Sequence, residues 1–468
     1  MTDRLSALDV SFLYMETPTT AMHVGGVAIF EPPADGFDYD RLVELISERI
    51  GLVPRYRQKV RWVPGHLANP VWVDDPDFDV TYHVRRSALP KPGTDAQLRE
   101  LAGRLQSRQL DRNRPLWEIY LVEGLENGRV AIITKTHHAM VDGVSAVDIG
   151  TVILDLEPTP REVPEDDWSP KKEPSSLGLV RGAVTDFLSK PAGALETART
   201  AVVEAKTTAG KVASVAGGML AQARTMAKQA PDTPLNVPIG EQRRFGMAST
   251  SLDDYKRVRK AHGGTINDVV LATVAGALRA WLMTRGETVT PTTSLRVMVP
   301  VSVRSDSQKG DLGNRVSSYF VDLPVGEQSP VVRLHQVSYS MKAHKESGSA
   351  VGADALVQLS GFAPPTIHAL AARTMSGLTR RLFNTVVTNV PGPQFPLYAA
   401  GARMLAMYPV VPLAKNQAVT IGLTSYDGGV YYGLNADRDS MPDIDVLGSS
   451  IVDSLAELLD SPGRDRSR

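Results

Sequence analysis

The sequence predicts an α/β (α+β) chain of two mixed-sheet domains joined by a long helical linker. Three observations carry this. The 468 residues exceed the roughly 250–300 that one core supports. Compact β-branched runs, Arg129–Thr136 foremost, alternate with stretches of helical period. Composition also shifts at Glu157, where EPTPREVPEDDWSPKKEPSS is proline-rich and charged. The domains then run 1–156 and 234–468, with 157–233 as linker.

In chain order, Met22–Glu31 (MHVGGVAIFE) predicts a strand, with a glycine pair where a bulge or a close backbone approach belongs. Tyr39–Ile50 has helical spacing. Arg129–Thr136 predicts a buried strand, and Val144–Leu156 a helix beyond it. Within the linker, apolar residues from Leu195 to Met226 recur at intervals of 3 and 4 on one helix face. That stripe is alanine-rich and flanked by Arg199, Lys206 and Lys211, so two readings stand: a helix packed along the domains, or a basic segment resting on anionic lipid.

The second half opens near Pro234. Gly264–Thr284 predicts a helix started by Thr265-Ile-Asn-Asp268, a capping box with Asp in place of Glu or Gln. Ser294–Val303 and Val316–Leu323 predict strands, and Thr388–Pro393 (TNVPGP) a turn. Ala418–Leu423 and Val430–Leu434 flank Tyr426-Asp-Gly-Gly429, a hairpin signal. Ile444–Leu459 predicts a closing helix.

The formal net charge of -1 argues against global attraction to nucleic acid. With no cysteine there is no disulfide, no cysteine-bound metal and no thiol nucleophile. The N-terminal stretch lacks a basic region followed by a long apolar core, so no signal peptide is expected. The longest near-apolar stretch, Val269–Met283, is interrupted by Arg279 and falls short of the roughly 20 residues of a spanning helix. The expectation is a protein on the cytoplasmic side, without a transmembrane helix and able to lie on a membrane.

His137–Ser145 (HHAMVDGVS) concentrates the chemistry. Adjacent side chains point in different directions from a strand or a helix, and no third ligand follows, which disfavours a metal. A structural reading lets Asp142 cap a helix that begins near Gly143, with one histidine satisfying buried backbone groups. A catalytic reading puts one imidazole at a strand end as general base, since histidine titrates near 6.5 and is mostly neutral at pH 7. No GxSxG context supplies a serine nucleophile, so such a base would deprotonate a substrate hydroxyl directly.

His137-His138-Ala-Met-Val-Asp142-Gly143 matches the HHxxxDG motif of the CoA-dependent acyltransferase superfamily. An ordered set of further stretches resembles one branch, the bacterial wax ester synthase/diacylglycerol acyltransferase family, and most of all its actinobacterial triacylglycerol synthases. The set comprises Leu5-Ser-Ala-Leu-Asp9, Met22-His-Val-Gly-Gly26, Asp111–Glu118 (DRNRPLWE), Leu235–Gly240 (LNVPIG), Thr265–Asp268, Pro300–Arg304 (PVSVR), Gly313-Asn314 and Thr388–Pro393. The superfamily's DFGWG motif is absent, which excludes the plant-type and carnitine-type branches.

This resemblance implies chloramphenicol-acetyltransferase-like domains and acyl-CoA as co-substrate, with no other cofactor. It implies diacylglycerol or a long-chain alcohol as acceptor, and a peripheral membrane or lipid-droplet surface. His138 would be the general base. His137 would support it, Asp142 would hold the loop through an ion pair, and Gly143 would let the chain turn. Asn267 would lie near the active site, to orient the acceptor or polarise the carbonyl. Trp117 is expected as core or as acyl-pocket lining, Arg304 as a CoA-phosphate contact or an ion-pair residue, and Asn389 as a turn former near the channel. Two other functions are set against this: a weakly catalytic lipid- or acyl-CoA-binding paralogue, and an acyltransferase for a polar acceptor.

Overall fold

The computed structural model describes residues 3–141, 149–189, 229–302, 316–347, 351–352 and 382–462. In chain order the first half runs β1 (Asp3–Arg4), α1 (Ala7–Met15), β2 (His23–Glu31), α2 (Tyr39–Arg49), β3 (Gln58–Arg61), β4 (Val71–Asp74), α3 (Val80–His83), β5 (Val84–Ala88), α4 (Asp95–Gln106), β6 (Trp117–Glu123), β7 (Val130–His137), α5 (His138–Val141), α6 (Ile149–Ile153) and α7 (Ser176–Ser189). The second half adds β8 (Arg243–Ser251), α8 (Leu252–His262), α9 (Ile266–Thr284), β9 (Leu295–Ser302), β10 (Val316–Leu323), α10 (Pro330–Ser347), β11 (Val351–Gly352), β12 (Thr385–Pro391), β13 (Tyr398–Ala399), β14 (Ala402–Val410), β15 (Val419–Tyr426), β16 (Gly429–Asp437) and α11 (Ile444–Asp460).

Among the described residues the strands form two large mixed sheets and a small one, β1-β4-β3. One large sheet is ordered β13-β14-β2-β7-β6-β5, the other β11-β10-β9-β12-β15-β16-β8. Helices cover both faces of the first. Leu98, Leu101, Ala102 and Leu105 of α4 pack on Val27, Ile29, Ala131 and Ile133 on one face. On the other face Val10, Leu42 and Ile46 meet Phe30, Ile119, Leu121 and Ile132. The second core gathers Val269–Leu282 of α9, Leu447, Ile451 and Leu455 of α11, and Val419, Ile421 and Leu434 of the sheet.

Two expectations are corrected. The boundary at residue 234 divides the sequence but not the sheets: β14 pairs with β2 along Arg403↔Glu31 to Val410↔Gly25. Without β14 the ladder of β2 would be left open at an edge, and no local pattern in the second half reveals that partner. TNVPGP is not simply a turn. Val387–Pro391 pair in parallel with Ile421–Ser425, and the chain turns only after Pro391. Among the described residues β9 joins β12 at Thr385 and Val386, and Pro391, which has no N–H to donate, stands at the far end of β12.

The charged linker segment is a strap along the first half rather than a free spacer. Asp166 pairs with Arg57, and Glu173 pairs with Arg61 at 2.8 Å. The Lys171 N–H donates to Asp74 at 3.0 Å. The stripe Leu195–Met226 lies outside the described residues. Among the described helices α9 is long and apolar enough to cross a membrane; 72% of its most apolar window is buried, because it forms the second core. It runs beyond the near-apolar stretch because the Thr265 cap starts it at Ile266, and Arg279 within it donates to the Val325 and Gly326 carbonyls. The capping box forms as expected, Thr265 Oγ1 accepting from Asp268 N and Asp268 from Thr265 N. The β15–β16 hairpin turns at Asp427 and Gly428, both at positive φ (42° and 82°), as a two-residue primed turn requires.

Candidate active site

The adjacent histidines end β7 and begin α5, and two neighbours hold their amides. His137 N–H donates to Leu116 O at 2.9 Å, while His138 N–H donates to Met22 O at 2.8 Å. The sequences flanking β6 and β2 therefore fix the point where the chain passes from strand to helix. Gly25 makes this possible: a Cβ there would lie 2.0 Å from Thr134 O. The glycine pair is a close backbone approach, with His23↔His137 through Phe30↔Val130 in unbroken register.

The side chains diverge, as adjacency dictates. His137 is fully buried and turns inward. Its Nδ1 accepts from Ala139 N at 3.1 Å, which places its proton on Nε2, 3.6 Å from Glu16 Oε2. His137 thus does satisfy a buried backbone donor. His138 is half-buried and lies against α1, its ring stacked on Phe12 with centroids 4.0 Å apart and planes 17° apart.

Glu16, whose side chain is 2% exposed, organises the inner cluster. His23 Nε2 lies 3.3 Å from its Oε1, and Arg112 Nε donates to its Oε2 at 3.0 Å. Burial alone would raise the Glu16 carboxyl; its neighbours His137 and His23 outweigh it and hold the group well below the usual carboxylate range. Burial pushes His23 down to about 4 against the pull of Glu16, and pushes His137 down as well. The cluster is an anion shared among a guanidinium and two neutral imidazoles, an ion-pair network with its charge already balanced.

A second buried network braces β7 two residues earlier. Lys135 Nζ donates to Leu105 O at 3.3 Å and lies 3.6 Å from Glu118 Oε2, which accepts from Tyr120 OH at 2.7 Å. Burial pushes Lys135 down to about 8. This ties the C-terminal end of α4 to the strand that carries the histidines.

In the other sheet the structure joins two residues far apart in sequence. Asn389 of β12 donates through Nδ2 to Asn267 Oδ1 at 3.3 Å, and both are half-buried. Asn267 sits in the first turn of α9, next to Asp268, which the cap consumes. Trp117 takes the packing role. It is 1% exposed, stacks on His83 with centroids 4.5 Å apart, and donates Nε1–H to Tyr56 O at 2.8 Å. It packs in the core of the first half, and Leu116 beside it supplies the carbonyl that holds the His137 amide. Asp142, Gly143, Arg304, Gly313 and Asn314 lie outside the described residues.

Sequence reasoning missed Glu16, His23, Phe12 and Arg112. His23 and Arg112 stand inside motifs noted above, but nothing local marks them as partners of His137. Their convergence needs the β2–β7 register and the placement of the Asp111–Glu118 segment.

Comparison with known proteins follows the same lines. Residues 5–270 match the model of the wax ester synthase/diacylglycerol acyltransferase catalytic domain, and residues 312–459 that of the WS/DGAT C-terminal domain. A Mycobacterium tuberculosis protein named "Probable diacyglycerol O-acyltransferase tgs1" is 36% identical over 464 residues, 98% of this chain and 96% of the relative. The solved wax ester synthase/diacylglycerol acyltransferase from Marinobacter aquaeolei VT8 superposes with a TM-score of 0.69 at 29% identity, covering 97% of this chain and 98% of that one. The starter condensation domain of rhizomide synthetase, solved with C8-CoA, shares the fold at a TM-score of 0.57 and 14% identity, over 99% and 95% of the two chains.

Proposed function

This chain belongs to the wax ester synthase/diacylglycerol acyltransferase family and is an acyl-CoA-dependent O-acyltransferase that makes triacylglycerol or wax esters, and we propose that diacylglycerol is its main acceptor and His138 its general base. The observation that supports the assignment is the unequal placement of the two histidines. His137 is enclosed by Glu16 and by the Ala139 amide, whereas His138 is half-buried and lies against the apolar ring of Phe12. A base for an oily alcohol needs such a site: an imidazole reachable by substrate, in surroundings that suit an acyl chain.

The reaction then needs no covalent enzyme intermediate. His138 takes the proton of the acceptor hydroxyl as the oxygen attacks the thioester carbonyl of acyl-CoA. The tetrahedral intermediate collapses by breaking the C–S bond, and His138 returns the proton to the departing thiolate. Ester and free CoA leave. The Asn267–Asn389 pair supports a polarising role: Asn267 spends its carbonyl oxygen on Asn389, leaving its own amide hydrogens to donate to an oxyanion or to the acceptor. Asp142 and Gly143 are assigned to holding the loop after His138, and Arg304 to a CoA-phosphate contact or a structural ion pair, on the motif match alone.

Peripheral contact with a membrane or lipid droplet is part of the proposal. α7 packs Leu179 and Ala183 inward and exposes Leu177 (63%) and Val184 (50%), seven residues apart on its other face. The test is an acceptor panel, diacylglycerol beside hexadecanol, with labelled oleoyl-CoA, run on the wild type and His138→Ala. The expected result is triacylglycerol as main product and its loss in the variant. Unchanged product formation by His138→Ala would remove the base from His138, and no CoA release with any acceptor would favour a binding paralogue.

A further inference from the structure

We propose that the buried carboxylate of Glu16 is a positioning residue for the acyl transfer, acting on His138 through Met22 and His137. The proposal rests on His138 being the base, and concerns how that base is held. Glu16 lies just beyond α1, whose Phe12 carries the stacking ring, so a single short stretch of chain supplies both supports.

The first connection is a relay through the backbone. Glu16 Oε1 accepts the Met22 N–H at 3.3 Å, and the Met22 carbonyl accepts the His138 N–H at 2.8 Å. The carboxylate therefore fixes the residue that fixes the His138 backbone, at the point where β7 gives way to α5. The second connection is the tautomer of His137. The Ala139 amide claims Nδ1, and Nε2, left with the proton, lies 3.6 Å from Glu16 Oε2. An anion there favours the Nε2–H tautomer, and with it the Ala139 contact that starts the turn of helix carrying His138. Arg112 and His23 keep the carboxylate ionised and immobile, since Arg112 Nε at 3.0 Å and His23 Nε2 at 3.3 Å hold opposite oxygens.

The acyl-transfer chemistry does not itself need Glu16. A buried charge with four converging partners, none of them substrate, is instead what a rigid support for a base requires. A displacement of His138 on the order of 1 Å is expected to cost roughly 100-fold in rate.

The experiment compares Glu16→Ala and Glu16→Gln with wild type, at a temperature where circular dichroism shows each variant folded. Glu16→Ala is expected to lower kcat about 100-fold while KM for oleoyl-CoA stays within about 3-fold. Glu16→Gln keeps an oxygen for the Met22 N–H and is expected to recover part of the loss. Wild-type kcat in Glu16→Ala, or a loss carried wholly by KM, overturns the proposal. A Glu16→Gln variant no better than Glu16→Ala removes the Met22 relay and overturns it as stated. Should Glu16→Ala fail to fold, imidazole ¹⁵N spectra of the wild type decide, with His137→Gln to assign the signal. His137 is expected as the neutral Nε2–H tautomer at pH 7; an Nδ1–H tautomer or an imidazolium at pH 7 overturns the proposal. If His138→Ala retains activity, the base assignment fails, and the His137 tautomer still reports on Glu16 separately.

Discussion

Acidification from pH 7.5 to pH 5 should destabilise the chain through His23, and the size of the effect follows from its burial. In the folded protein His23 is 2% exposed and its imidazole is pushed from its ordinary 6.5 down to about 4. Between those values the unfolded chain binds a proton that the folded chain refuses. Stability from this group is therefore complete above 6.5 and is lost as pH falls toward 4. Integrated over pH 7.5 to 5, the linkage costs about 2 kcal/mol. His137, pushed down by the same burial, adds in the same direction. Glu16, held below its ordinary 4.5, loses its contribution only as pH falls below that value, so it adds little at pH 5. The assay is urea unfolding followed by tryptophan fluorescence at half-unit pH steps, for wild type and His23→Gln. The wild-type midpoint should fall steeply below pH 6.5, and the variant, with one fewer titrating group, should fall less. Equal pH slopes for the two proteins would refute the argument, as would a wild type that gains stability on acidification.

Two further outcomes test the framework around the site. Gly25→Ala places a Cβ 2.0 Å from Thr134 O, so β2 and β7 must separate beside the histidines. A loss of at least about 3 kcal/mol is expected, read as a large drop in melting temperature or in soluble yield. A variant that melts like wild type would mean the two strands can move apart freely. Trp117→Phe keeps the ring against His83 but removes the 2.8 Å hydrogen bond to Tyr56 O. It should cost about 1–3 kcal/mol in urea unfolding, with KM for oleoyl-CoA unchanged; a raised KM at unchanged stability would return Trp117 to the acyl pocket.

Much of the fold was legible because periodicity and turn chemistry are local. Arg129–Thr136 reads as a strand from its β-branched run, and Asp427-Gly428 as a turn because few residue pairs accept positive φ at both positions. Thr265 and Asp268 announce a helix start three residues apart, and the reciprocal hydrogen bonds are there. TNVPGP misled because its composition is that of a turn, while a parallel ladder to β15 supplies the backbone partners that a short segment cannot supply alone. β14 lies in the second half yet closes an edge of the first sheet, because sequence distance hides which sheet edge a strand will close.

The sequence by itself determined the family, the strand–helix junction that presents two histidines, and the fact that their side chains must diverge, since neighbouring residues leave the backbone in different directions. It did not determine which of them would be enclosed. Tertiary structure decided that, by bringing Glu16 from the end of α1, His23 from β2 and Arg112 from the stretch before β6 around His137, and Phe12 of α1 against His138. Burial makes the difference: desolvation disfavours the charged forms of His137 and His23 and makes the ionised Glu16 depend on its partners, while His138 stays half-buried.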